Sequence, residues 1–201
     1  MDIIADAKEL RETYGAPTER SLKKQMSRFD KHSREFVARS PFLVIASTDR
    51  SGRCDASPKG DAQGFVQVND DTTLLIPDRL GNNRVDALGN PVARPGIGLI
   101  FFVPGINETL RVNGQVCVTP DHALLEPLAV NGKVPRSGIL VSGEEIYFHC
   151  GKALIRSELW NLEKHLRCSA FPSLAAVLTE QIGGAVGGDP ERLERHKTRL
   201  H

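Results

Sequence analysis

The sequence predicts a mainly β protein with helices, of the α+β class, in which short antiparallel strands form a small barrel. Three observations support this prediction. Short apolar segments separated by turn residues fill the middle of the chain, and helical periodicity occupies both ends. The strand–helix alternation and the GxGxxG motif of dinucleotide-binding folds are absent from the sequence. We expect the 201 residues to form a single domain.

The elements follow in chain order. Residues 1–39 have a helical pattern that ends before Pro41, and the apolar residues expected near one face are Leu22, Met26, Phe29, Phe36 and Val37. Strands are predicted at residues 42–47, 54–57, 64–68, 73–76, 96–103, 109–119 and 144–150. Further helices are predicted at residues 83–89, 121–128, 152–166 and 173–181. The domain therefore divides into a helical segment at 1–40, a barrel at 41–150 and a helical segment at 151–201.

The composition excludes several classes of protein. The 26 basic and 25 acidic residues nearly cancel, so we expect no nucleic-acid partner. The four cysteines are widely spaced and contain no CxxC pair, which argues against a disulfide framework and a zinc site. No apolar run has the length of a membrane span. A reducing cytoplasm is the expected location, with no membrane partner.

One stretch, residues 53–84, carries the main functional signal. Lys59 follows an extended segment, and a second extended segment continues through Gly81, Asn82, Asn83 and Arg84 into a helical pattern. A helix N-terminus offers free N–H groups and a positive dipole end, and two cations would add charge for a phosphate. The structural alternative reads the asparagines as helix N-caps and the arginine as an ordinary surface residue. This stretch alone leaves both interpretations open.

Other candidate sites are weaker. Cys54 is better read as a small strand residue than as a reactive thiol. His149 and Cys150 are adjacent on a predicted strand, so they point to opposite faces and cannot easily share a site. Asp121 follows a proline and is read as an N-cap rather than as a metal ligand. Trp160 is read either as a packing anchor or as a lid over a cofactor, with the anchor preferred.

The motifs together resemble a known family. The sequence SPKG at 57–60, PDRLGNNR at 77–84 and ETLRVNG at 108–114 are similar to those of the pyridoxamine 5'-phosphate oxidase-like flavoproteins, which are FMN-binding split barrels. The resemblance covers residues 41–119. The segments IYFHCGKA at 146–153 and RSELW at 156–160 look like a bacterial subfamily of the same group.

The resemblance implies a cofactor, a set of site residues and a partner. The cofactor is FMN, with no metal, and the family's arrangement implies a homodimer with FMN at the interface. The implied cofactor-binding residues are Ser57, Lys59, Pro77, Asp78, Asn82, Asn83, Arg84, Thr109, Arg156, Ser157 and Trp160. In this assignment Lys59 and residues 82–84 hold the phosphate, and residues 77–78 approach the flavin ring through the backbone. Thr109 or its neighbour Glu108 reaches the flavin, and the three C-terminal residues complete the partner's site.

The implied function is FMN-dependent oxidoreduction, with hydride or electron transfer to or from an unknown small molecule and no catalytic residue assigned. Vitamin B6 oxidase activity is not expected, because Cys54 stands where those enzymes often carry an arginine and residues 195–201 do not match their C-terminal substrate contacts. The alternative is a non-catalytic carrier of flavin, deazaflavin or heme on the same barrel. A metal-dependent hydrolase of phosphorylated substrates ranks last.

Overall fold

The structure is a computed structural model that describes residues 1, 3–79 and 86–183. The helices are α1 (Ala7–Tyr14), α2 (Glu19–Lys23), α3 (Lys31–Arg39), α4 (Asp86–Ala93), α5 (His122–Leu125), α6 (Lys152–Ser157) and α7 (Leu174–Ile182). The strands are β1 (Phe42–Thr48), β2 (Cys54–Gly60), β3 (Gln67–Val68), β4 (Thr73–Pro77), β5 (Gly96–Phe102), β6 (Thr109–Thr119) and β7 (Gly138–His149). None of the described helices is long and apolar enough to cross a membrane.

The seven strands form one antiparallel sheet in the order β2-β1-β5-β6-β7-β4-β3. Strand β7 pairs with β6 along its whole length and with β4 over its first half. The register shifts between Asn113 and Gly114, whose partners are Glu145 and Gly143, so Glu144 is the extra residue of a bulge in β7, where the local twist of the strand increases. The predicted fold class, mainly β with helices around an antiparallel barrel, is confirmed.

Alternating side chains on one face of the sheet build the main core. The strand residues of this core include Leu43, Ile45, Leu99, Phe101, Leu110, Val112, Ile146, Val141, Leu74 and Ile76. Phe29 and Val37 from the N-terminal segment join the same cluster and are 4% and 0% exposed. Burying each of these two side chains contributes about 2 kcal/mol, which fixes α3 against the sheet.

The N-terminal segment departs from the predicted single apolar face. Phe29 and Val37 are buried as expected, but Leu22 is 60% exposed. Met26 lies outside the helices and exchanges two backbone hydrogen bonds with Ile146, at 2.9 and 2.7 Å. The physical reason is that β4 pairs with β7 only between Gly138 and Ser142, so the second half of β7 has an edge without a strand partner, and the N-terminal segment covers this edge.

Two further elements differ from the predicted bounds. Strand β7 begins at Gly138, earlier than predicted, because the apolar run 139–141 pairs with β4. The helix predicted at 152–166 ends at Ser157, because Glu158 adopts a left-handed conformation with φ of 50°. Asp121 caps α5 as expected, since the backbone N–H of Ala123 donates to its carboxylate at 3.0 Å.

Candidate functional site

An ion pair joins the ends of two strands that are distant in the sheet. The Nζ atom of Lys59, near the end of β2, lies 3.0 Å from Oδ1 of Asp78, which follows β4. Their strands stand first and sixth in the strand order, so this contact exists because the sheet curls. Both side chains are largely buried, with 21% and 24% of their surface exposed. Lys59 lies opposite Leu43 in the register, which places its side chain on the core-facing side.

A second ion pair lies beside the first. The Nε atom of Arg79 donates to Oδ2 of Asp61 at 2.6 Å, and another guanidinium nitrogen donates to the carbonyl of Leu128 at 2.8 Å. The side chains of this pair are 18% and 6% exposed. The cation is on β2 in the first pair and on the segment after β4 in the second. The end of the barrel therefore contains two adjacent ion pairs of opposite orientation.

The described residues contain only part of the predicted phosphate motif. Lys59 contacts Asp78, which lies four residues before Asn82, the first of the other predicted phosphate ligands in the sequence. Asn82, Asn83 and Arg84 lie outside the described residues, and helix α4 begins after them at Asp86. Sequence reasoning placed Lys59 and Asp78 in one site but did not predict their ion pair. The opposite charge order of KGD at 59–61 and PDR at 77–79 is the signal that could have indicated it.

The remaining residues near the end of β4 have their own contacts. The Ser57 hydroxyl donates to Oδ2 of Asp55 at 2.8 Å, on the same side of β2 as Lys59. Pro77 is buried and pairs with Gly138. The backbone N–H of Asp78 donates to the carbonyl of Ser137 at 3.0 Å, so this N–H is not available to a flavin ring.

Thr109 is a buried residue whose hydroxyl has no partner among the described residues. The residue is 5% exposed, and its hydroxyl makes no hydrogen bond to any residue that the structure describes. By contrast, Ser40, which is also buried, donates its hydroxyl to the carbonyls of Phe42 and Phe102 at 2.8 and 2.7 Å. A buried polar atom without a partner calls for an explanation such as a water or a ligand. The neighbouring candidate, Glu108, is exposed.

Thr109 and Lys59 do not converge on one pocket within a single chain. Leu110 belongs to the core, so its neighbour Thr109 is on the opposite, outer face of the sheet. Strands β1 and β5 lie between β2 and β6, a separation of about 14 Å at three strand spacings. Both residues are at the same end of the sheet but on different faces.

The three C-terminal candidates lie around α6. The indole N–H of Trp160 donates to the carbonyl of Ile106 at 2.9 Å, in the turn between β5 and β6. The Ser157 hydroxyl donates to the carbonyl of Leu154 at 3.2 Å, and Arg156 is exposed in the last turn of the helix. Trp160 thus anchors the C-terminal segment to the turn that precedes Thr109, as the anchor interpretation expects.

The outer face of β1 and β5 is apolar, which sequence reasoning did not anticipate. Phe42 and Val44 on β1 pair with Phe102 and Ile100 on β5, and these side chains are on the face opposite the core. The rings of Phe42 and Phe102 are 6.0 Å apart, and Phe42 is 40% exposed. We call these four residues the outer apolar face.

A surface groove of about 560 Å³ lies elsewhere on the molecule. It is lined by Arg34, Val37, Ala38, Gly64, Val66, Gln67, Val68 and Asn69. None of the predicted cofactor-binding residues contributes to it, so the groove gives no support to the flavin site.

Three solved structures are similar to this chain at low sequence identity. HupZ of Group A Streptococcus superposes with a TM-score of 0.49 and 15% identity, covering 60% of this chain and 93% of that chain. A putative pyridoxamine 5'-phosphate oxidase from Lactobacillus delbrueckii gives 0.48 and 17%, covering 62% and 98%. The FAD binding protein from Mycobacterium smegmatis gives 0.41 and 13%, covering 61% and 95%. No curated protein matches the sequence.

A family model gives the decisive match. The model described as pyridoxamine 5'-phosphate oxidase matches residues 29–150. This range runs from Phe29 in the core through all seven strands to the residue after β7, and it contains both ion pairs. By this match over more than half of its length, the chain belongs to the pyridoxamine 5'-phosphate oxidase-like family.

Proposed function

We propose that the protein is an FMN-dependent oxidoreductase that exchanges hydride or electrons with a small molecule. The observation that most directly supports the proposal is the contact between Lys59 and Asp78. It places a cation at the start of the segment that carries the other predicted phosphate ligands. A phosphate site that is formed by the end of β2 and by the segment after β4 requires these two parts of the chain to lie close together. Membership of the family supports the same cofactor.

The described residues fit an FMN molecule in two respects. Lys59 offers a charge-assisted hydrogen bond to a phosphate, to which the proposal adds Arg84, Asn82 and Asn83 as further ligands. The hydroxyl of Thr109 is buried, has no partner among the described residues, and is free to bond a heteroatom of the flavin ring. Bound FMN would supply the redox chemistry, while these residues hold and orient it.

We also propose a homodimer with FMN at the interface. Because Lys59 and Thr109 face opposite sides of the sheet, one flavin could contact both positions only if they come from two copies of the chain. The outer apolar face offers a surface for a second copy, since exposed apolar patches often mark protein interfaces. Arg156, Ser157 and Trp160 would then complete the partner's site. The four cysteines are free, which is compatible with the proposed cytoplasmic location.

The roles that we propose for the site residues are in cofactor binding. Lys59 would hold the phosphate, and the apolar residues at the proposed interface would exclude water from the ring. No residue is assigned as acid or base. Hydride transfer through a flavin needs no protein nucleophile, so the substrate pocket would act by position and polarity.

A flavin titration tests the proposal. We expect purified protein to retain FMN absorbance through gel filtration, and Lys59→Ala to raise the FMN Kd about tenfold, since charge-assisted hydrogen bonds are worth about 1.5–3 kcal/mol. Lys23→Ala, which removes an exposed lysine paired with Glu19, is the matched control and should change nothing. Wild-type protein that binds no FMN would contradict the proposal. Bound flavin that is not reduced by NADH or NADPH, and that passes no electrons to any acceptor in a panel, would indicate the carrier instead.

A further inference from the structure

We propose that the carboxylate of Asp78 competes with the cofactor phosphate for the ammonium group of Lys59, and thereby sets the affinity for a phosphorylated flavin. This inference rests on the proposed function. It concerns the side chain of Asp78, whereas the family resemblance assigned only a backbone role to this residue.

The geometry shows that Lys59 already has a counter-ion. Its Nζ atom is 3.0 Å from Oδ1 of Asp78, and no other carboxylate in the described part of the chain pairs with it. The side chains of the pair are 21% and 24% exposed, so solvent and salt screen it less than an ordinary surface pair. A phosphate that approaches Lys59 therefore meets a neutralised cation.

Arg79, the cation next to this pair, does not offer an unpaired positive charge to the phosphate. The guanidinium of Arg79 is committed to Asp61 and to the carbonyl of Leu128. The two ion pairs therefore contain two cations and two carboxylates, and together they offer no net positive charge to a phosphate.

An incoming phosphate has two ways to use Lys59, and Asp78 opposes both. Either the lysine leaves Asp78, which loses a partly buried ion pair, or it contacts both anions, which places like charges close together. An FMN phosphate carries between one and a half and two negative charges at neutral pH, roughly as a phosphorylated side chain does, so this repulsion is strong. Asp78 thus stabilises the unliganded barrel end while it reduces affinity for the phosphate.

In the alternative role, Asp78 would hold Lys59 in position for the phosphate and so favour binding. The two roles give opposite results when the charge is removed but the hydrogen bond is kept. In Asp78→Asn the amide oxygen still accepts from the lysine, so the position of Lys59 is preserved while the negative charge is lost.

The experiment measures the Kd of FMN and of riboflavin, which lacks the phosphate, for the full-length wild type and Asp78→Asn. We expect the FMN Kd to fall about tenfold, the scale of removing one nearby like charge, and the riboflavin Kd to change less than about twofold. Asp71→Asn is the matched control, because Asp71 also accepts from a cation, Arg34, but lies before β4 instead of after it. We expect this control to leave both Kd values unchanged.

The outcomes separate this inference from the proposed function. FMN binding that is unchanged or weaker in Asp78→Asn overturns the inference alone, as does an equal gain for riboflavin. If wild type and variant both bind neither flavin, the proposed function fails and the inference fails with it. Should the Asn variant not fold, Asp78→Ser removes the charge and should tighten FMN binding, whereas Asp78→Glu keeps the charge and should not.

Discussion

Arg79 Nε lies 2.6 Å from Oδ2 of Asp61, in an ion pair whose side chains are 18% and 6% exposed. The pair links the residues that follow β2 to those that follow β4, beside the Lys59–Asp78 pair. These strands form no hydrogen-bonded ladder with each other, because they stand first and sixth in the sheet. Charged side chains therefore hold this end of the barrel together where strand pairing is absent.

The first prediction concerns that pair. Arg79→Ala should lower the free energy of unfolding by about 2 kcal/mol, because it removes one charge-assisted hydrogen bond from a carboxylate that is 6% exposed. Urea denaturation measures the change. Arg39→Ala removes an arginine from a pair with Glu35 that is 65% and 59% exposed, and should cost less than about 1 kcal/mol. Equal losses in the two variants would mean that the Arg79 pair does not secure the barrel end.

The second prediction uses the buried hydroxyl of Thr109. Thr109→Val should raise the unfolding free energy of the unliganded protein by about 1 kcal/mol, because it replaces a buried hydroxyl that has no partner in the part of the chain that the structure describes with a methyl group. The same variant should weaken FMN binding. Ser40→Ala removes a hydroxyl that has two acceptors, and should instead destabilise by about 1 kcal/mol. Loss of stability in Thr109→Val would show that its hydroxyl is satisfied in solution.

The third prediction concerns pH. The pKa of Asp70 is well below its usual range because its carboxylate accepts several hydrogen bonds. The largest contribution comes from the Thr73 hydroxyl at 2.6 Å, and the backbone N–H groups of Thr72 and Thr73 follow. A carboxyl with a lowered folded-state pKa stabilises the fold above its unfolded pKa of about 3.9, and this stabilisation is lost as pH falls through the folded-state pKa. Thr73→Val should therefore be less stable than wild type at pH 7, with the difference narrowing below about pH 4.

Thermal unfolding between pH 7 and pH 2.5 measures that difference, and an NMR titration of the Asp70 carboxyl measures its pKa directly. The pKa should rise toward its ordinary value in Thr73→Val. Thr72→Val is the control, because the Thr72 hydroxyl is a more distant donor at 3.1 Å and makes a smaller contribution. A larger pKa rise in Thr72→Val than in Thr73→Val would reverse this assignment.

The fourth prediction tests the proposed dimer. Phe42→Glu places a charge on the outer apolar face and should convert a dimer into a monomer in analytical ultracentrifugation, because an unpaired charge is costly to bury. Leu22→Glu changes an apolar residue that is 60% exposed on another surface, and should leave the assembly unchanged. If the wild type sediments as a monomer, the proposed interface does not form.

Local sequence patterns predicted most of the sheet. The apolar run that forms β1 and the alternating pattern of β6 could be recognised in the sequence, because the residues of a strand alternate between a buried face and a more exposed face. The fold class followed from these strands and their turns. The family was recognisable from three short motifs, which all lie within the matched range 29–150.

Contacts between distant parts of the chain were not predictable in this way. Met26 was expected on a helix face, but its position depends on the free edge of β7, which no local pattern reveals. The Lys59–Asp78 pair likewise depends on the curvature of the sheet. A helical pattern after Lys152 did not indicate the left-handed residue Glu158, because glutamate rarely adopts that conformation.

The position of β7 between β6 and β4 has a consequence for folding. Both β6 and β4 lack their main neighbour until β7 is synthesised. The N-terminal segment also cannot dock on the sheet before then, since Gln25 donates to Glu145, which is 120 residues away in the chain. Contacts of such long range slow folding and leave strand edges open to other chains in the meantime. A nascent chain released before β7 would therefore present two unpaired edges, and we expect such fragments to aggregate.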